Sequence, residues 1–566
     1  MKKFFFNFFH DIKFYPVFVF WKIVQLLIGI NLTKFSMPIR VNSDNLKVSI
    51  KFCQKFLSKK EMSSEHPVYS LKLHGKTVNV NLKSISERDF VDNETFQQFL
   101  RLKWINEEVL DSEGKILGLS EKYSLLLLFL KLTGLKTDFP HKHAYILSER
   151  LSNIHELLFN ENTFEVPDII RNIANIYGGW IAKDLELYLF DLTGNHIINN
   201  ARGLAFAAKL SSNTSYNLIS QKILNRYLDQ LLINNFLREG STHYHLLFCL
   251  WLTDLKILYS KEEFSKYLDT YKKIINSAYS IFVFGEKGYS FPLIGDISPD
   301  RSPNDLIDYF HDHLSKKKEN QFNRTRKNII KENKKIISSQ GLTFLGDIIR
   351  VDFEDISLFV RTPPNQSFNL CASHEHRDFG SIVIYSSGEP VIIDAGRPNY
   401  ILKETVCPYV QSNIHNFPIL NKTPYYTKRD RFVPLSARKF FPVYSINDKD
   451  GDLELSFQLT GSNCSAQRHI LFKNRKIIIK DKVIGSLLQK SCLNFLIPDN
   501  VNIEPFRSGA KLNFKKNQIK FTSENATFNI SQEDISLEYG SLKKINCLKS
   551  NAYGNWESHI TIETVL

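Results

Sequence analysis

The sequence predicts a multidomain α+β protein, a large all-helical domain followed by an antiparallel β-sandwich, on three observations. Apolar residues recur at helical spacing from about Phe90 to Tyr309. A Lys-, Asn- and Ser-rich stretch of low apolar content then runs from His311 to Gln340. Beyond it the pattern changes to short alternating or β-branched runs. Helices come first and sheet second, and the helical run is long enough for a barrel or toroid without a short internal repeat.

The elements are justified in chain order. Residues 1–60 open with a basic, aromatic stretch from Met1 to Phe9 and an apolar one from Phe14 to Leu32, interrupted by Lys22 and Gln25. Asp11 and Lys13 break the first half and no Ala-x-Ala follows, so the segment reads as a packed or membrane-surface helix rather than a cleaved signal. A spanning anchor over Phe14 to Leu32 would need about 20 mostly apolar residues and is the lesser reading. Residues 61–315 form the helical domain, with helices at Tyr123-Ser-Leu-Leu-Leu-Leu-Phe-Leu, Tyr145 to Leu158, Trp180 to Leu210 split at Gly194, and Ile219 to Phe236. Residues 316–340 are expected to be a solvated basic connector, carrying Lys316, Lys317, Lys318, Lys327, Lys331, Lys334 and Lys335. Residues 341–566 form the β domain, with strands at Ile356-Ser-Leu-Phe-Val, Ser381-Ile-Val-Ile-Tyr, Val391-Ile-Ile, Leu453 to Leu459, Ile477-Ile-Ile and Ala526 to Ile530. Ser387-Gly388 and Asp450-Gly451 supply turns between them.

Bulk properties narrow the function classes. A chain of 566 residues exceeds one hydrophobic core, and 43% hydrophobic with 23% charged residues excludes a disordered or fibrous protein. Lys and Arg number 73 against 59 Asp and Glu, and the net charge of +14 favours acidic partners: nucleic acid, anionic lipid or acidic polysaccharide. The seven cysteines, at 53, 249, 371, 407, 464, 492 and 547, are scattered and contain no CxxC pair. That pattern indicates neither a disulfide scaffold nor a thiolate zinc site, and leaves cytoplasm and periplasm both open.

Three polar clusters gather groups able to titrate, donate or bind metal. The first is Gly194-Asn195-His196-Ile-Ile-Asn199-Asn200 at the start of an apolar helix, where Asn195 and Asn199 would share a face. Capping or a satisfied interior pair is the commoner explanation of such residues. The second is Arg238-Glu-Gly-Ser-Thr-His243-Tyr244-His245 leading into the helix Leu246 to Leu255. A neighbouring histidine can ease ionisation of a phenol and let it act as acid and base, whereas a plain packed tyrosine is the alternative. The third is His374-Glu375-His376-Arg377-Asp378, with Asp394 and His415-Asn416 further on. On a strand His374, His376 and Asp378 would face one way, and imidazoles with a carboxylate supply the N/O ligands zinc accepts. A hydrogen-bonded strand end is the competing explanation.

Taken together in this order, the clusters resemble the heparinase II/III family of polysaccharide lyases over residues 140 to 480. The likeness is carried by Tyr145-Ile-Leu-Ser-Glu-Arg-Leu-Ser-Asn, by Leu185-Glu-Leu-Tyr-Leu-Phe-Asp-Leu-Thr-Gly-Asn-His-Ile-Ile-Asn-Asn-Ala-Arg-Gly-Leu-Ala-Phe-Ala, and by Glu239-Gly-Ser-Thr-His-Tyr-His. In the β part it is carried by His374-Glu-His-Arg-Asp-Phe-Gly-Ser, Gly388-Glu-Pro-Val-Ile-Ile-Asp-Ala-Gly and Ile414-His-Asn. The resemblance implies an α/α toroid, an incomplete helical barrel, joined to an antiparallel β-sandwich with the reaction in the cleft between them. It implies β-elimination on a uronate-containing acidic polysaccharide rather than any nucleic-acid partner. Asn195 and His374 would neutralise the C5 carboxylate, Tyr244 would serve as acid and base, and His196 would be the second base. Asn199, His243, His245 and Tyr400 are the candidate substrate contacts. His376, Asp394 and His415 match the ligands of a structural zinc, and no organic cofactor is implied. Many relatives carry Ser-Pro-x-Tyr-His where this chain has Ser241-Thr242-His243-Tyr244-His245, a departure that bears on substrate preference.

Other readings predict other products. A C5-epimerase of the same architecture would share the proton abstraction and invert the sugar. A glycan-binding or surface-polysaccharide assembly protein would bind without turnover. A hydrolase using His374-x-His376-x-Asp378 would release saturated ends. The substrate class favours the cell envelope or periplasm, with a cytoplasmic or membrane-associated location as the alternative and membrane-surface contact assigned to the N-terminal segment.

Overall fold

The computed structural model describes residues 47–51, 53–54, 68–82, 85–159, 166–187, 193–311, 321–332, 341–362, 374–402, 407–420, 441–449, 452–460, 464–485, 490–506, 509–514, 517–523 and 527–563. The apolar segment at Phe14 to Leu32 and the Asp450-Gly451 turn lie outside them. Among the described residues no helix is long and apolar enough to cross a membrane.

A hairpin that the sequence pattern did not reveal precedes the helices: β1 (Val68–Leu73) and β2 (Lys76–Asn81) pair antiparallel. They turn through His74 and Gly75, whose φ values of 49° and 71° suit a tight hairpin turn. The helices are α1 (Asn93–Arg101), α2 (Leu119–Thr133), α3 (Ala144–Phe159), α4 (Asp168–Lys183), α5 (His196–Ser211), α6 (Thr214–Tyr227), α7 (Thr242–Leu258), α8 (Lys261–Ser265), α9 (Leu268–Tyr279), α10 (Pro303–Phe310) and α11 (Gln321–Glu332). The apolar run Ile219 to Phe236 is therefore not one helix. It ends at Tyr227, and β3 (Leu232–Ile233) and β4 (Phe236–Leu237) turn at Asn234-Asn235, both of positive φ. Another short pair, β5 (Val283–Gly285) and β6 (Gly288–Ser290), follows α9.

Helix α5 packs against α3, α4, α6 and α7, which buries almost its whole surface and explains its run of Ala, Gly and Leu. Its Arg202 reaches Asp254 of α7 at 2.6 Å and Glu149 of α3 at 2.7 Å. Asp254 also takes Arg326 of α11 at 2.6 Å, and Arg326 reaches Glu156 at 3.0 Å. The expected connector at 316–340 thus contains a packed helix, with Arg326 and Lys327 buried. Its lysines hid a cation that the core uses: Arg326 is the second partner of Asp254, beside Arg202, and the carboxylate is fully buried.

The β domain begins with a five-stranded antiparallel sheet of β7 (Gly341–Leu345), β8 (Ile348–Phe353), β9 (Ile356–Arg361), β10 (Ile382–Ser386) and β11 (Glu389–Ile392), ordered β11-β10-β9-β8-β7. Both faces are buried. Ile348, Phe359, Val383 and Tyr385 enter the helical core, while Ile349, Leu358, Val360 and Ile384 enter the β core. This sheet joins the two domains, which is why its strands read as continuous apolar runs. After β12 (Ile419–Leu420) come β13 (Phe441–Lys449), β14 (Asp452–Thr460), β15 (Ser465–Lys473), β16 (Lys476–Ile484), β17 (Lys490–Ile497), β18 (Asn502–Phe506), β19 (Gly509–Phe514), β20 (Asn517–Ser523), β21 (Thr527–Ile535), β22 (Lys543–Tyr553) and β23 (Trp556–Glu563). They form an eight-stranded sheet, β13-β14-β15-β16-β23-β20-β19-β18, and a four-stranded one, β12-β17-β22-β21. Alternate residues such as Leu455, Phe457, Ile470, Ile479 and Phe521 point inward, each worth roughly 1.5–3 kcal/mol of burial.

Candidate active site

The site lies where the first turns of α5 and α7 meet the loop from His374 to Ser381. Ser241 caps α7, its hydroxyl accepting from the Tyr244 amide at 3.1 Å and donating to the Asp296 carbonyl at 2.7 Å. The cap holds Tyr244 in the first turn and ties that turn to the segment before α10. Gly295, at φ 79°, completes the tie: a Cβ there would stand 2.5 Å from the Gly240 carbonyl oxygen and 2.7 Å from that of His374. Only glycine permits this approach.

Tyr244 lies flat on His374, with ring centroids 3.5 Å apart and planes 10° from parallel. Its hydroxyl is 2.8 Å from that of Tyr400, and Tyr400 reaches the Ile297 carbonyl at 3.3 Å. Burial pushes the Tyr244 phenol well above the ordinary tyrosine value, with the Tyr400 hydroxyl opposing, so near neutral pH it stands protonated. The imidazole that meets this tyrosine is neither of its sequence neighbours. His243 turns away to accept from the Ser298 amide at 3.2 Å, and burial holds its pKa down at about 3. His245 is not brought to the site: its Nδ1 accepts from the Leu237 amide at 3.1 Å, its Nε2 is 2.9 Å from the Ser277 hydroxyl, and its ring stacks on Phe236.

His374 is held by two carboxylates that the sequence reading did not single out. Its Nδ1 is 3.2 Å from Asp296, and its Nε2, 3.4 Å from Glu239, makes no hydrogen bond. Glu239 also accepts from the Asn195 amide nitrogen of the main chain at 2.5 Å, which seats the start of α5 beside His374. The Asn195 side chain caps nothing. Its Nδ2 is buried without a hydrogen-bond partner, an aimed donor of the kind that functional sites retain. Asn199, one turn along, accepts from Arg202 at 2.9 Å through its Oδ1, and its Nδ2 is likewise buried without a hydrogen-bond partner. Residues 374–378 are irregular rather than a strand, so His374, His376 and Asp378 do not share a face. Arg361 draws Glu375 to 3.2 Å and Asp378 to 3.3 Å, and these ion pairs set the loop's course.

His196 occupies the helical side of the site. Its Nδ1 is 2.8 Å from Glu186, its ring lies 4.4 Å from that of Tyr145, and its side chain is 42% exposed. Glu186 is clasped by Asn200 at 3.1 Å. Burial alone would raise the Glu186 carboxyl, but His196, His143 and Asn200 hold it down at about 2. Burial likewise works against the His196 cation, and Glu186 overcomes it, leaving the pKa above the ordinary histidine value. Tyr145 donates to Asp300 at 2.5 Å, and Asp300 pairs with Arg101 at 2.8 Å.

Behind His374, the Asp296 carboxylate reaches His376 Nε2 at 2.9 Å and Arg397 at 3.2 Å. His376, Asp394 and His415 then offer ligand atoms within 4.8 Å of one another. His376 Nδ1 and His415 Nε2 are buried and make no hydrogen bond, and His415 Nδ1 is 2.8 Å from Asp394. Orphaned imidazole nitrogens beside a carboxylate fit a zinc ion. Arg468 secures this edge, bonding the Asn416 carbonyl at 2.7 Å, the Gly380 carbonyl at 2.9 Å and Asp481 at 2.7 Å. Glu186 and Glu239 fall within the quoted segments without being singled out there, Asp296 lies between two clusters and Arg468 beyond all three, and none carried a signal of its own.

No family model matches the chain, and no curated protein matches it significantly. Solved structures do. A heparinase III is 13% identical with a TM-score of 0.64, covering 95% of this chain and 87% of its own. A second heparinase III is 17% identical with a TM-score of 0.58, covering 95% and 86%. A mutant heparan sulfate lyase from Pedobacter heparinus is 14% identical with a TM-score of 0.55, covering 94% and 84%. At these identities the likeness establishes the fold, an α toroid followed by an antiparallel β domain, across nearly the whole chain.

Proposed function

We propose that this chain is a polysaccharide lyase that cleaves a uronate-containing acidic polysaccharide by β-elimination. The observation that carries the reading is the Tyr244 phenol stacked on the His374 imidazole, with Glu239 beside that imidazole at 3.4 Å and accepting from the main chain of Asn195, whose own side-chain amide is buried and unpartnered. Support comes also from the fold, which it shares with structures described as heparinase III and heparan sulfate lyase.

The residues divide the work by their chemistry. The Asn195 Nδ2 and His374 Nε2 donors meet the uronate carboxylate, whose charge grows as C5 loses its proton. The electron pair of the C5–H bond forms the C4–C5 double bond, and the C4–O4 bond breaks. Tyr244, a phenol at neutral pH, gives its proton to the departing O4. Where the C5 proton faces Tyr244, the fraction of Tyr244 that has lost its proton to solvent removes it and passes that same proton to O4; where it lies on the opposite face, His196 is the base and the Tyr244 phenol protonates O4. Asp296 and Glu239 act through His374 by fixing its ring. A zinc ion held by His376, Asp394 and His415 would supply fixed positive charge that anchors the loop behind His374.

The test is ultraviolet absorbance of unsaturated uronate ends while the protein and its Tyr244→Phe variant meet a panel of uronate polymers. A rise with the parent and none with the variant is expected. Absence of a rise with the parent on every polymer sinks the proposal. Exchange of the C5 proton with deuterated solvent, without chain scission, would then assign an epimerase.

A further inference from the structure

The segment before α3, Asp138-Phe139-Pro140-His141-Lys142-His143, places two aromatic groups where the core does not need them. His141 turns inward, edge-on to Phe96 at 5.8 Å, and burial holds its pKa down at about 4. Phe139 does the opposite and leaves 69% of its surface in water. Its ring stands edge-on to His143, with centroids 5.7 Å apart. His143 Nε2 is 3.5 Å from Glu186 Oε1, the oxygen that also holds His196 Nδ1 at 2.8 Å. One buried carboxylate thus presents two partly exposed imidazoles, with a bare phenyl ring at the outer edge and the proposed second base at the inner one.

We propose that Phe139, His143 and Glu186 build a subsite for a second acidic sugar of the polymer, the one next to the uronate that reacts. It rests on the elimination reading, because that reading fixes where the reacting sugar sits. A pyranose offers a C–H face and an equatorial rim of hydroxyl and carboxylate oxygens. The exposed phenyl face suits the first and the imidazole N–H groups suit the second. An acidic occupant suits imidazole donors, because the one carboxylate among these groups, Glu186, is buried and engaged by His196 and Asn200. Because Phe139 reaches the reacting centre only through His143 and Glu186, its ring acts on binding and leaves the chemical step alone.

The experiment compares steady-state kinetics of the full chain, Phe139→Ala, Phe139→Trp and His143→Gln on a cleavable uronate polymer and on its shortest cleavable fragment. Phe139→Ala should raise KM for the polymer about tenfold with kcat within twofold of the parent, Phe139→Trp should restore it, and His143→Gln should raise KM likewise. On the shortest fragment Phe139→Ala should match the parent. Equal KM values for the polymer across all four proteins overturn the subsite, as does a loss confined to kcat. If the parent releases no unsaturated ends, calorimetric titration with the same polymers separates the two ideas. Weaker binding by Phe139→Ala then supports the subsite although elimination has failed, and equal binding overturns it.

Discussion

The two sides of the cleft use the same pairing, an imidazole on a carboxylate, to opposite ends. On the helical side His196 rests on Glu186 with 42% of its side chain open to water. On the β side Asp296 is 1% exposed and grips His374, 10% exposed, and His376, fully buried. The open pair keeps a nitrogen for an incoming group, whereas the closed set spends its hydrogen bonds on holding a loop.

Changes that break this contrast differ in size. Tyr244→Phe removes the hydroxyl assigned as the acid and should lower kcat about a thousandfold with little change in melting temperature, measured by ultraviolet product formation and thermal unfolding. Asn195→Ala, which deletes the unpartnered donor, should cost on the order of a hundredfold in kcat; a loss under threefold would contradict its role at the carboxylate. Asp296→Asn acts on the closed side, where Arg397 and two imidazoles share one carboxylate. It should lower both kcat and the melting temperature, unlike Tyr244→Phe, and a variant as stable as the parent would argue that Asp296 is not a structural clasp.

The open side predicts a pH effect. His196 is raised above the ordinary histidine value by Glu186, and a base must be neutral, so on substrates that use His196 the rate should rise with pH through that elevated pKa. Glu186→Gln removes the charge that favours the cation, so the midpoint should move to lower pH. A midpoint unmoved or moved upward would rule out His196 as that base. Chelation tests the closed side: with a zinc ion at His376, Asp394 and His415, it should lower the melting temperature by several degrees, and activity should fall only as far as the loop loosens. The smallest effect belongs to Tyr539, whose hydroxyl accepts from the Tyr400 amide at 3.2 Å while its ring packs on His74 of the N-terminal hairpin. Tyr539→Phe should reduce kcat a few-fold through Tyr400, and Tyr400→Phe should abolish any further effect of it.

What could be read in the sequence divides along the same line. The α-then-β order was legible because period and composition are local properties, and so was the short spacing of Asn195-His196, Tyr244 and His374. Glu186, Glu239 and Asp296 were not, since each is one of 59 acidic residues and gains meaning only from a partner 10 to 135 positions away. Arg326 was lost among the lysines of its segment, although its burial on Asp254 makes α11 part of the helical core. His245 misled for the converse reason, because its place beside Tyr244 in sequence is undone by α7, which turns successive residues about 100° apart.

The central claim, elimination in the cleft, is tested most directly by counting two kinds of new chain end in one digest: reducing ends and unsaturated uronate ends. The account predicts that they appear in equal numbers and that both vanish in Tyr244→Phe. Reducing ends without unsaturated ones would mean hydrolysis and would contradict it.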